Sequence, residues 1–262
     1  MSHFDEARKY LRFCGIDRPD DDVKLIAAFA AGLPLKTALG APFPEFTPAA
    51  EAKFRRLVSR RGDRREPAAY LVGTEEFMGL ELKVTPSVLI PRPSTESLVE
   101  RAGAVSTFLE IGTGSGAVAI ALALRGARGT ATDLSARALE IARENAERHG
   151  VADRITFMQA DLFVEGPFEL LISNPPYVAT GEMEALPPEV KHEPRLALEA
   201  GPDGLDVIRR ILAGARAHAP RLLLEMAPHQ ADAVRNLALQ AGFRNVLITK
   251  DLDGFDRVLE AS

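Results

Sequence analysis

The sequence predicts an α/β protein in which a small helical domain and a β-hairpin precede a mostly parallel sheet covered by helices. From residue 106 onward, apolar runs typical of strands alternate with segments of helical periodicity, a pattern typical of parallel sheets. The first 75 residues show only helical periodicity, with cap and stop signals at the segment ends. We therefore expect a helical domain over 1–75, a hairpin linker over 76–93 and an α/β domain over 94–262.

Composition restricts the class of protein. The chain has 262 residues, of which 46% are hydrophobic and 26% charged, values typical of a globular protein with an ample core. The net charge of −5 disfavours a protein that binds nucleic acid through a global basic field. The lone Cys14 excludes an internal disulfide and a cysteine-based zinc site, and no metal site is predicted. No signal peptide and no apolar run of ~18 to 20 residues is apparent, so a cytoplasmic location is expected.

The first domain contains start and stop signals of helices. The segment "DDVKLIAAFAAGLP" carries an aspartate cap, Asp21 or Asp22, and stops at Gly32. "TPAAEAKFRRLVSRRG" begins with Thr47 as cap, followed by a proline in the first helical position. "EPAAYLVG" adds one further short helix. These segments predict a small all-α domain.

The sequence of the linker predicts a β-hairpin. Apolar residues alternate from Phe77 to Val84 around Gly79. The prolines of "IPRP" then end the extended segment, and Ser94 or Thr95 is expected to cap the next helix. The α/β domain begins there. Its predicted strands are "STFLEIG", "GTATDL", "RITFMQAD", "FELLIS", "RLLLEM" and "FRNVLIT", with helices between them and a last segment, "FDRVLEA".

A glycine-rich loop follows the first strand of this domain. "LEIGTGSGAVAI" places Gly112, Gly114 and Gly116 before a helix, where a ligand can approach the backbone closely. Asp133 ends the second strand 21 positions after Gly112, close to the spacing of a carboxylate that binds ribose hydroxyls. Sites for NAD, FAD and S-adenosylmethionine (SAM) share this pattern. The alternatives are a tight turn without a ligand and a capping role for Asp133 at Ser135.

A second carboxylate, Asp161, ends the third strand in "MQADLF". By position it can meet the edge of an adenine ring, with Leu162 beside the ring. It can equally be an ordinary strand-end cap. The sequence leaves both interpretations open.

The fourth strand ends in Asn-Pro-Pro-Tyr, residues Asn174–Tyr177. In a doubly wound sheet this turn neighbours the glycine loop, so it faces a bound cofactor. The Asn174 side-chain oxygen and the Pro175 carbonyl can each accept one hydrogen of an –NH₂ group. Pro176 stiffens the turn, and Tyr177 offers an aromatic face on which a planar amide or base can stack. The motif favours methyl transfer to a planar nitrogen over a turn without chemistry.

These segments resemble the HemK/PrmC family. "LEIGTGSGAVAI", "ATDLS", "ISNPPYV", "YLVGTEEFMGLELKV" and "LIPRPSTESLVE" carry the resemblance, which extends through "HEPRLALEAGPDGLDVIRRI" and "LLLEMAPHQADAV" to "DLDGFDRVLEA". Family members are SAM-dependent methyltransferases that modify the glutamine side chain in the Gly-Gly-Gln motif of peptide chain release factors. The resemblance implies a Rossmann-like methyltransferase domain with a mostly parallel seven-stranded sheet, preceded by a helical substrate-recognition domain.

The resemblance also implies ligands and site residues. SAM is the expected cofactor, with S-adenosylhomocysteine as product, and class 1 release factors are the expected partners of a monomeric enzyme. No membrane or direct nucleic-acid partner is expected. The expected cofactor-binding residues are Glu110, Gly112, Thr113, Gly114, Ser115, Gly116, Asp133, Leu134, Asp161, Leu162 and Asn174. The expected substrate-binding residues are Arg92, Thr95, Asn174, Pro175, Pro176 and Tyr177, of which the last four are also the expected catalytic residues.

Other classes of function compete with this interpretation. An amino methyltransferase of the N6-adenine type, acting on nucleic acid, is the main alternative, because Asn-Pro-Pro-Tyr suits an adenine amine equally well. An NAD-dependent oxidoreductase has no role for this motif. A non-catalytic binding protein that retains the fold has no need of the intact glycines and Asn174.

Two further segments have alternative interpretations. Six arginines lie close together in the helical domain: Arg55, Arg56, Arg60, Arg61, Arg64 and Arg65. We interpret this stretch as a solvated helix end. The alternative is an electrostatic contact to an acidic face of the release factor. The long insert over 179–201 is predicted to be a lid or a partner-facing loop.

Overall fold

The computed structural model describes residues 2–251 and 253–262. Met1, in the predicted helical domain, and Leu252, in the matched segment "DLDGFDRVLEA", lie outside the described residues. Helices open the described chain: α1 (His3–Phe13), α2 (Pro19–Ala30), α3 (Pro48–Asp63) and α4 (Ala68–Val72). They pack around a shared apolar core that includes Leu11, Val23, Ile26, Phe54 and Leu57.

The helix starts follow the position of proline. Thr47 caps α3 as predicted, since its Oγ1 accepts the backbone N–H of Ala50 at 3.2 Å. The predicted aspartate cap of α2 is wrong, because the helix already begins at Pro19, which suits the first helical position. Asp21 and Asp22 instead lie in the first turn, where acidic side chains interact favourably with the helix dipole.

The predicted hairpin is confirmed. Strands β1 (Thr74–Phe77) and β2 (Leu80–Lys83) pair antiparallel. The two residues between them, Met78 and Gly79, have positive φ values of 52° and 77°, as a two-residue hairpin turn of type I′ requires. Helix α5 (Pro93–Ala102) then begins at its proline, so the predicted cap at Ser94 or Thr95 is wrong.

Among the described residues, seven strands form the main sheet: β3 (Thr107–Ile111), β4 (Arg128–Asp133), β5 (Ile155–Gln159), β6 (Leu170–Ser173), β7 (Arg221–Glu225), β8 (Val246–Lys250) and β9 (Asp256–Ala261). Their order is β5-β4-β3-β6-β7-β9-β8. Strands β3 to β7 are parallel, whereas β9 is antiparallel to both of its neighbours. The predicted mostly parallel sheet and Rossmann-like fold are confirmed.

Helices cover both faces of the sheet: α6 (Ala117–Leu124), α7 (Ala136–Arg148), α8 (Asp206–His218) and α9 (Ala231–Gln240). Leu170 and Ile172 of β6 pack on one side with Ile120 of α6, while Leu171 packs on the other with Ile208 of α8. Across residues 2–251 and 253–262, no helix has both the length and the apolar character of a membrane span.

The strand order places the loops after β3 and β6 side by side. The chain moves outward from β3 to β4 and β5, then returns to add β6 and β7 on the other side. The direction therefore switches between β3 and β6, which is where ligands bind in open α/β sheets. The glycine loop and the Asn-Pro-Pro-Tyr turn lie at this point.

Candidate active site

A cavity of about 300 Å³ lies at the carboxyl ends of β3, β4 and β6. Its wall combines the glycine loop, the ends of β4 and β5, the turn after β6, the segment 87–89 and part of the insert. Many of the predicted site residues line it: Gly112, Gly114, Asp133, Leu134, Asp161, Leu162, Asn174, Pro175 and Pro176.

The glycine loop presents bare backbone to the cavity. Gly112 and Gly114 have positive φ values of 74° and 55°, which glycine adopts readily. A Cβ atom added to either would meet no atom of the described chain within 4 Å, so it would project into open space. Gly116 is required for another reason, since its added Cβ would lie 3.1 Å from Cβ of Ala142 on α7. Two glycines therefore leave room for a ligand, and one lets two helices approach.

The buried side chain of Glu110 supports the glycine loop through hydrogen bonds. Oε2 of Glu110 accepts hydrogen bonds from Thr113 Oγ1 at 2.7 Å and from the Ala119 N–H at 3.1 Å. Burial raises the pKa of Glu110 to about 8. The two hydrogen bonds favour the charged form and therefore act in the opposite direction, but burial is the larger effect. Glu110, Thr113, Ser115 and Gly116 were all predicted to bind the cofactor, but they are not among the residues that line the cavity.

Asp133 contacts both the glycine loop and the following helix. Its Oδ2 accepts the N–H of Gly114 and its Oδ1 accepts the N–H of Ser135, both at 2.9 Å. Burial raises its pKa, although the backbone hydrogen bonds favour the charged form. The capping role of Asp133 at Ser135, one of the interpretations left open by the sequence, is therefore present. Each carboxylate oxygen can accept a second hydrogen bond, so Asp133 can also bind a hydroxyl in the cavity.

Asp161 and Leu162 lie beyond the end of β5. The Asp161 carboxylate pairs with Arg210 of α8 at 2.8 Å, and both side chains line the cavity. Leu162 has a positive φ of 78°, which is strained for a branched side chain. Its carbonyl accepts a hydrogen bond from Thr132 Oγ1 at 2.8 Å, which holds this conformation at the cavity wall.

Asn174 is held by a threonine from α5. Its Nδ2 donates to Thr95 Oγ1 at 2.9 Å. The preceding Ser173 ties the end of β6 to β3, since its Oγ donates to the Ile111 carbonyl at 2.8 Å. Because the amide nitrogen is engaged, the Oδ1 oxygen of Asn174 is the end that remains to accept hydrogen bonds from a ligand.

Tyr177 lies behind the turn and packs against the apolar cluster under α8. It is not among the residues that line the cavity. Burial raises the pKa of Tyr177 to about 12. Its carbonyl accepts a hydrogen bond from Gln230 Nε2 at 3.0 Å, and a Cβ on Gly204 would approach this carbonyl oxygen to 2.4 Å. These contacts anchor the turn at its tyrosine end.

The insert over 179–201 consists of short 3₁₀ turns and loops, and it covers one side of the cavity. Its buried Glu193 accepts the N–H of Ile90 at 3.1 Å and pairs with Arg92. Arg92, predicted to bind substrate, is therefore engaged with the insert and does not line the cavity. Four residues of the insert contribute to the wall: Pro194, Leu196, Ala197 and Glu199.

The arginine stretch also contacts the insert. Arg61, only 7% exposed, pairs with Asp22 of α2 at 2.6 Å and with Glu189 of the insert at 2.9 Å. Arg65 reaches the same Glu189 oxygen at 2.7 Å. The interpretation of a solvated helix end is therefore wrong for Arg61, which joins α3 to the insert. Arg56 and Arg64 are exposed.

Sequence reasoning missed several wall residues. The segment Ser87, Val88 and Leu89 carries no chemical motif, and Arg210 sits on an amphipathic helix whose solvent-facing arginines look alike in sequence. The length of the insert was the one signal that it contributes to the site.

Comparison with known families divides the chain in two. Residues 4–73 match the PrmC N-terminal domain, and residues 93–198 match the methyltransferase small domain. The second match covers the glycine loop, the Asn-Pro-Pro-Tyr turn and most of the insert.

Similar proteins cover nearly the whole chain. The release factor glutamine methyltransferase of Cereibacter sphaeroides is 42% identical over 262 residues, covering 96% of this chain and 94% of its own. That of Moorella thermoacetica is 42% identical over 221 residues, covering 80% and 78%. Among solved structures, a methyltransferase from Pyrococcus furiosus is similar in fold, with a TM-score of 0.54, 20% identity, and coverage of 71% of this chain and 89% of its own.

Proposed function

This chain belongs to the HemK/PrmC family of release factor glutamine methyltransferases, and on that basis we propose that it methylates a glutamine side chain in peptide chain release factors. The acceptor is the amide nitrogen of the glutamine in the Gly-Gly-Gln motif, and its methylation modulates translation termination in the cytoplasm. The observation that carries the proposal is the placement of Asn174 and Pro175 in the same cavity wall as the open glycine loop.

The cavity fits SAM as the cofactor. Gly112 and Gly114 leave open space where a Cβ would project, which suits a ligand lying against the loop. Asp133 has acceptor capacity left for ribose hydroxyls, and Asp161 and Leu162 would lie beside the adenine. When bound, SAM supplies an electrophilic methyl group on its sulfonium.

The chain's own residues orient the acceptor nitrogen. An amide nitrogen is a poor nucleophile because its lone pair is delocalised. Asn174 Oδ1 and the Pro175 carbonyl can each accept one N–H of the substrate amide, which fixes its plane and stabilises the positive charge that develops on attack. Pro176 restricts Pro175 to an extended conformation, which aims its carbonyl. No general base is required, because the nitrogen sheds its proton after the transfer.

The helical segment over 1–75 is proposed to recognise the release factor. Its support is positional: Arg61 and Arg65 bind Glu189 of the insert, whose other end lines the cavity. A protein docked on the exposed side of α3 would therefore lie close to the insert. The exposed Arg56 and Arg64 offer positive charge for an acidic face of that partner.

An amino methyltransferase acting on nucleic acid is the alternative, because an adenine amine suits the same two acceptors. Such an enzyme needs basic side chains for backbone phosphates. The net charge of −5 and the pairing of Arg61 and Arg65 with carboxylates argue against this alternative.

Tandem mass spectrometry of a release factor incubated with the protein and SAM tests the proposal. We expect one added methyl group on the glutamine of the Gly-Gly-Gln motif. A methyl group on a different residue, or none, would contradict it.

A further inference from the structure

A buried side-chain amide lies between the glycine loop and the hairpin. Asn145 of α7 is 0% exposed and is not among the residues that line the cavity. Its Oδ1 accepts the backbone N–H of Lys83 at 2.7 Å. Its Nδ2 donates to the Lys83 carbonyl at 3.0 Å and to the Ser115 carbonyl at 2.9 Å. Each of the two amide hydrogens therefore has its own carbonyl, as burial of a polar group requires.

The hairpin presents these backbone groups to α7. In the antiparallel register Lys83 faces Thr74, and the next residue, Val84, donates its N–H to the Gly73 carbonyl at 3.0 Å. Hydrogen-bonded and non-hydrogen-bonded pairs alternate along an antiparallel ladder, so the N–H and carbonyl of Lys83 point away from β1. Asn145 binds both of them, as a residue of a neighbouring strand would.

A second side chain at the same end of α7 also binds the hairpin. His149 directly follows the helix, and its Nε2 lies 3.0 Å from the Glu81 carbonyl. The Nε2 atom must donate in this contact, because a carbonyl can only accept. In the part of the chain that the structure describes, the His149 ring makes no hydrogen bond to the glycine loop. Asn145, in contrast, joins the hairpin to the loop.

Asn145 holds the glycine loop through one peptide unit. A peptide unit is planar, so a fixed Ser115 carbonyl also fixes the N–H of Gly116. That N–H donates to the Thr113 carbonyl at 2.8 Å and closes the turn that contains Gly114, a residue of the cavity wall. Glycine restricts the backbone very little, so the shape of this turn depends on contacts from outside the loop. The hydrogen bond from Asn145 is such a contact.

We propose that Asn145 is a positioning residue for the cofactor: by holding the Ser115 carbonyl, it keeps the glycine loop in the conformation that receives SAM, and it joins this loop to the hairpin. Asn145 touches neither cofactor nor substrate. The proposal rests on the proposed function, because it assigns the cavity beside the loop to SAM. Loss of the amide should weaken SAM binding without slowing methyl transfer from SAM that is already bound.

Calorimetry of SAM binding to the full-length protein provides the first test. Asn145→Asp keeps the shape of the side chain and an acceptor for the Lys83 N–H, but its carboxylate has no hydrogen for the Ser115 carbonyl. Asn145→Ala removes the same contact without adding a charge. We expect the Kd for SAM to rise about 10-fold in both variants, as for the loss of a buried hydrogen bond. A wild-type Kd in both variants overturns the proposal.

His149→Ala is the matched control, because it removes a contact between the same end of α7 and the hairpin and leaves the Ser115 carbonyl bound. Its Kd for SAM should stay within about twofold of wild type. An increase equal to that of the Asn145 variants would show that attachment of the hairpin, rather than the Ser115 carbonyl, determines the affinity. That result would contradict the proposal.

Steady-state kinetics separates positioning from a loss of folded protein. Unfolding of part of a preparation lowers kcat in proportion and leaves the KM for SAM unchanged. The proposal requires the opposite for Asn145→Ala: a KM for SAM about 10-fold higher, and a kcat at saturating SAM within about threefold of wild type. A lower kcat with a wild-type KM would count against a positioning role.

Hydrogen exchange of the free protein, followed by mass spectrometry of peptides that cover 107–120, needs no ligand. We expect these peptides to exchange faster in Asn145→Ala than in wild type and in His149→Ala. Equal exchange in all three proteins refutes the positioning role. A wild type that does not bind SAM refutes the proposed function instead, and the exchange rates then decide the positioning role by themselves.

Discussion

Asn174 Nδ2 donates a hydrogen bond to Thr95 Oγ1 at 2.9 Å across 79 positions of sequence. The contact joins the end of β6 to the first turn of α5, two elements that are far apart along the chain. It leaves Oδ1 of Asn174, a residue of the cavity wall, to accept hydrogen bonds from a ligand. The proposed chemistry depends on this orientation, because an amide turned the other way would present a donor to the substrate –NH₂ group.

Asn174→Ala is expected to abolish methyl transfer, with kcat lower by at least about 100- to 1000-fold, because one of two acceptors for the substrate amide is lost. The Kd for SAM should stay within about threefold of wild type. Single-turnover kinetics and calorimetry measure the two quantities. Transfer at close to the wild-type rate would refute the proposed role of Asn174.

Asp133→Ala should weaken SAM binding before it affects anything else. The carboxylate organises Gly114 and Ser135 and retains acceptor capacity for ribose hydroxyls. Loss of charged hydrogen bonds of this kind corresponds to about a 10- to 100-fold increase in Kd, measurable by calorimetry. The exposed Asp153→Ala serves as control and should bind SAM as wild type does. Unchanged affinity in Asp133→Ala would remove Asp133 from the cofactor site.

Charge reversal of Arg55, Arg56 and Arg64 to glutamate tests the recognition role of the helical segment. All three side chains are exposed, so the fold should tolerate the change. We expect a higher KM for whole release factor and an unchanged KM for a short Gly-Gly-Gln peptide, because only the factor reaches α3. Equal effects on both substrates would show that this surface does not recognise the factor.

The stability of the protein should depend on pH through Glu110. Its pKa is about 8 in the folded protein against 4.5 for the free side chain, so the folded state holds a proton that the unfolded state loses between these values. The stabilisation is complete below the lower pKa and is lost as the pH rises through the upper one. The free energy of unfolding should therefore fall by an amount on the order of a few kcal/mol across this window.

Denaturant unfolding of wild type and Glu110→Gln, over a range of pH, measures this contribution. The neutral glutamine removes the titration, so the variant should lose less stability toward high pH than wild type does. The exposed Glu140→Gln should retain the wild-type pH dependence. Identical pH dependence in Glu110→Gln and wild type would contradict the raised pKa.

Local pattern predicted the sheet, the hairpin and the two motifs, because strand periodicity, Gly79 and the Asn-Pro-Pro-Tyr letters act over a few neighbouring residues. Local pattern did not predict the contacts between segments that are far apart in the sequence. Nothing in sequence periodicity indicates that Thr95 meets Asn174 or that Arg61 is buried against the insert. Such pairings follow from how helices pack on the sheet, and helix periodicity does not encode them.

The most direct test of the central claim is methyl transfer from labelled SAM to three acceptors in parallel: purified release factor, the same factor with a Gln→Ala change in its Gly-Gly-Gln loop, and DNA. We predict that label enters the unchanged factor alone. Comparable labelling of the Gln→Ala factor, or labelling of DNA, would contradict the assignment of the glutamine side chain as the methyl acceptor.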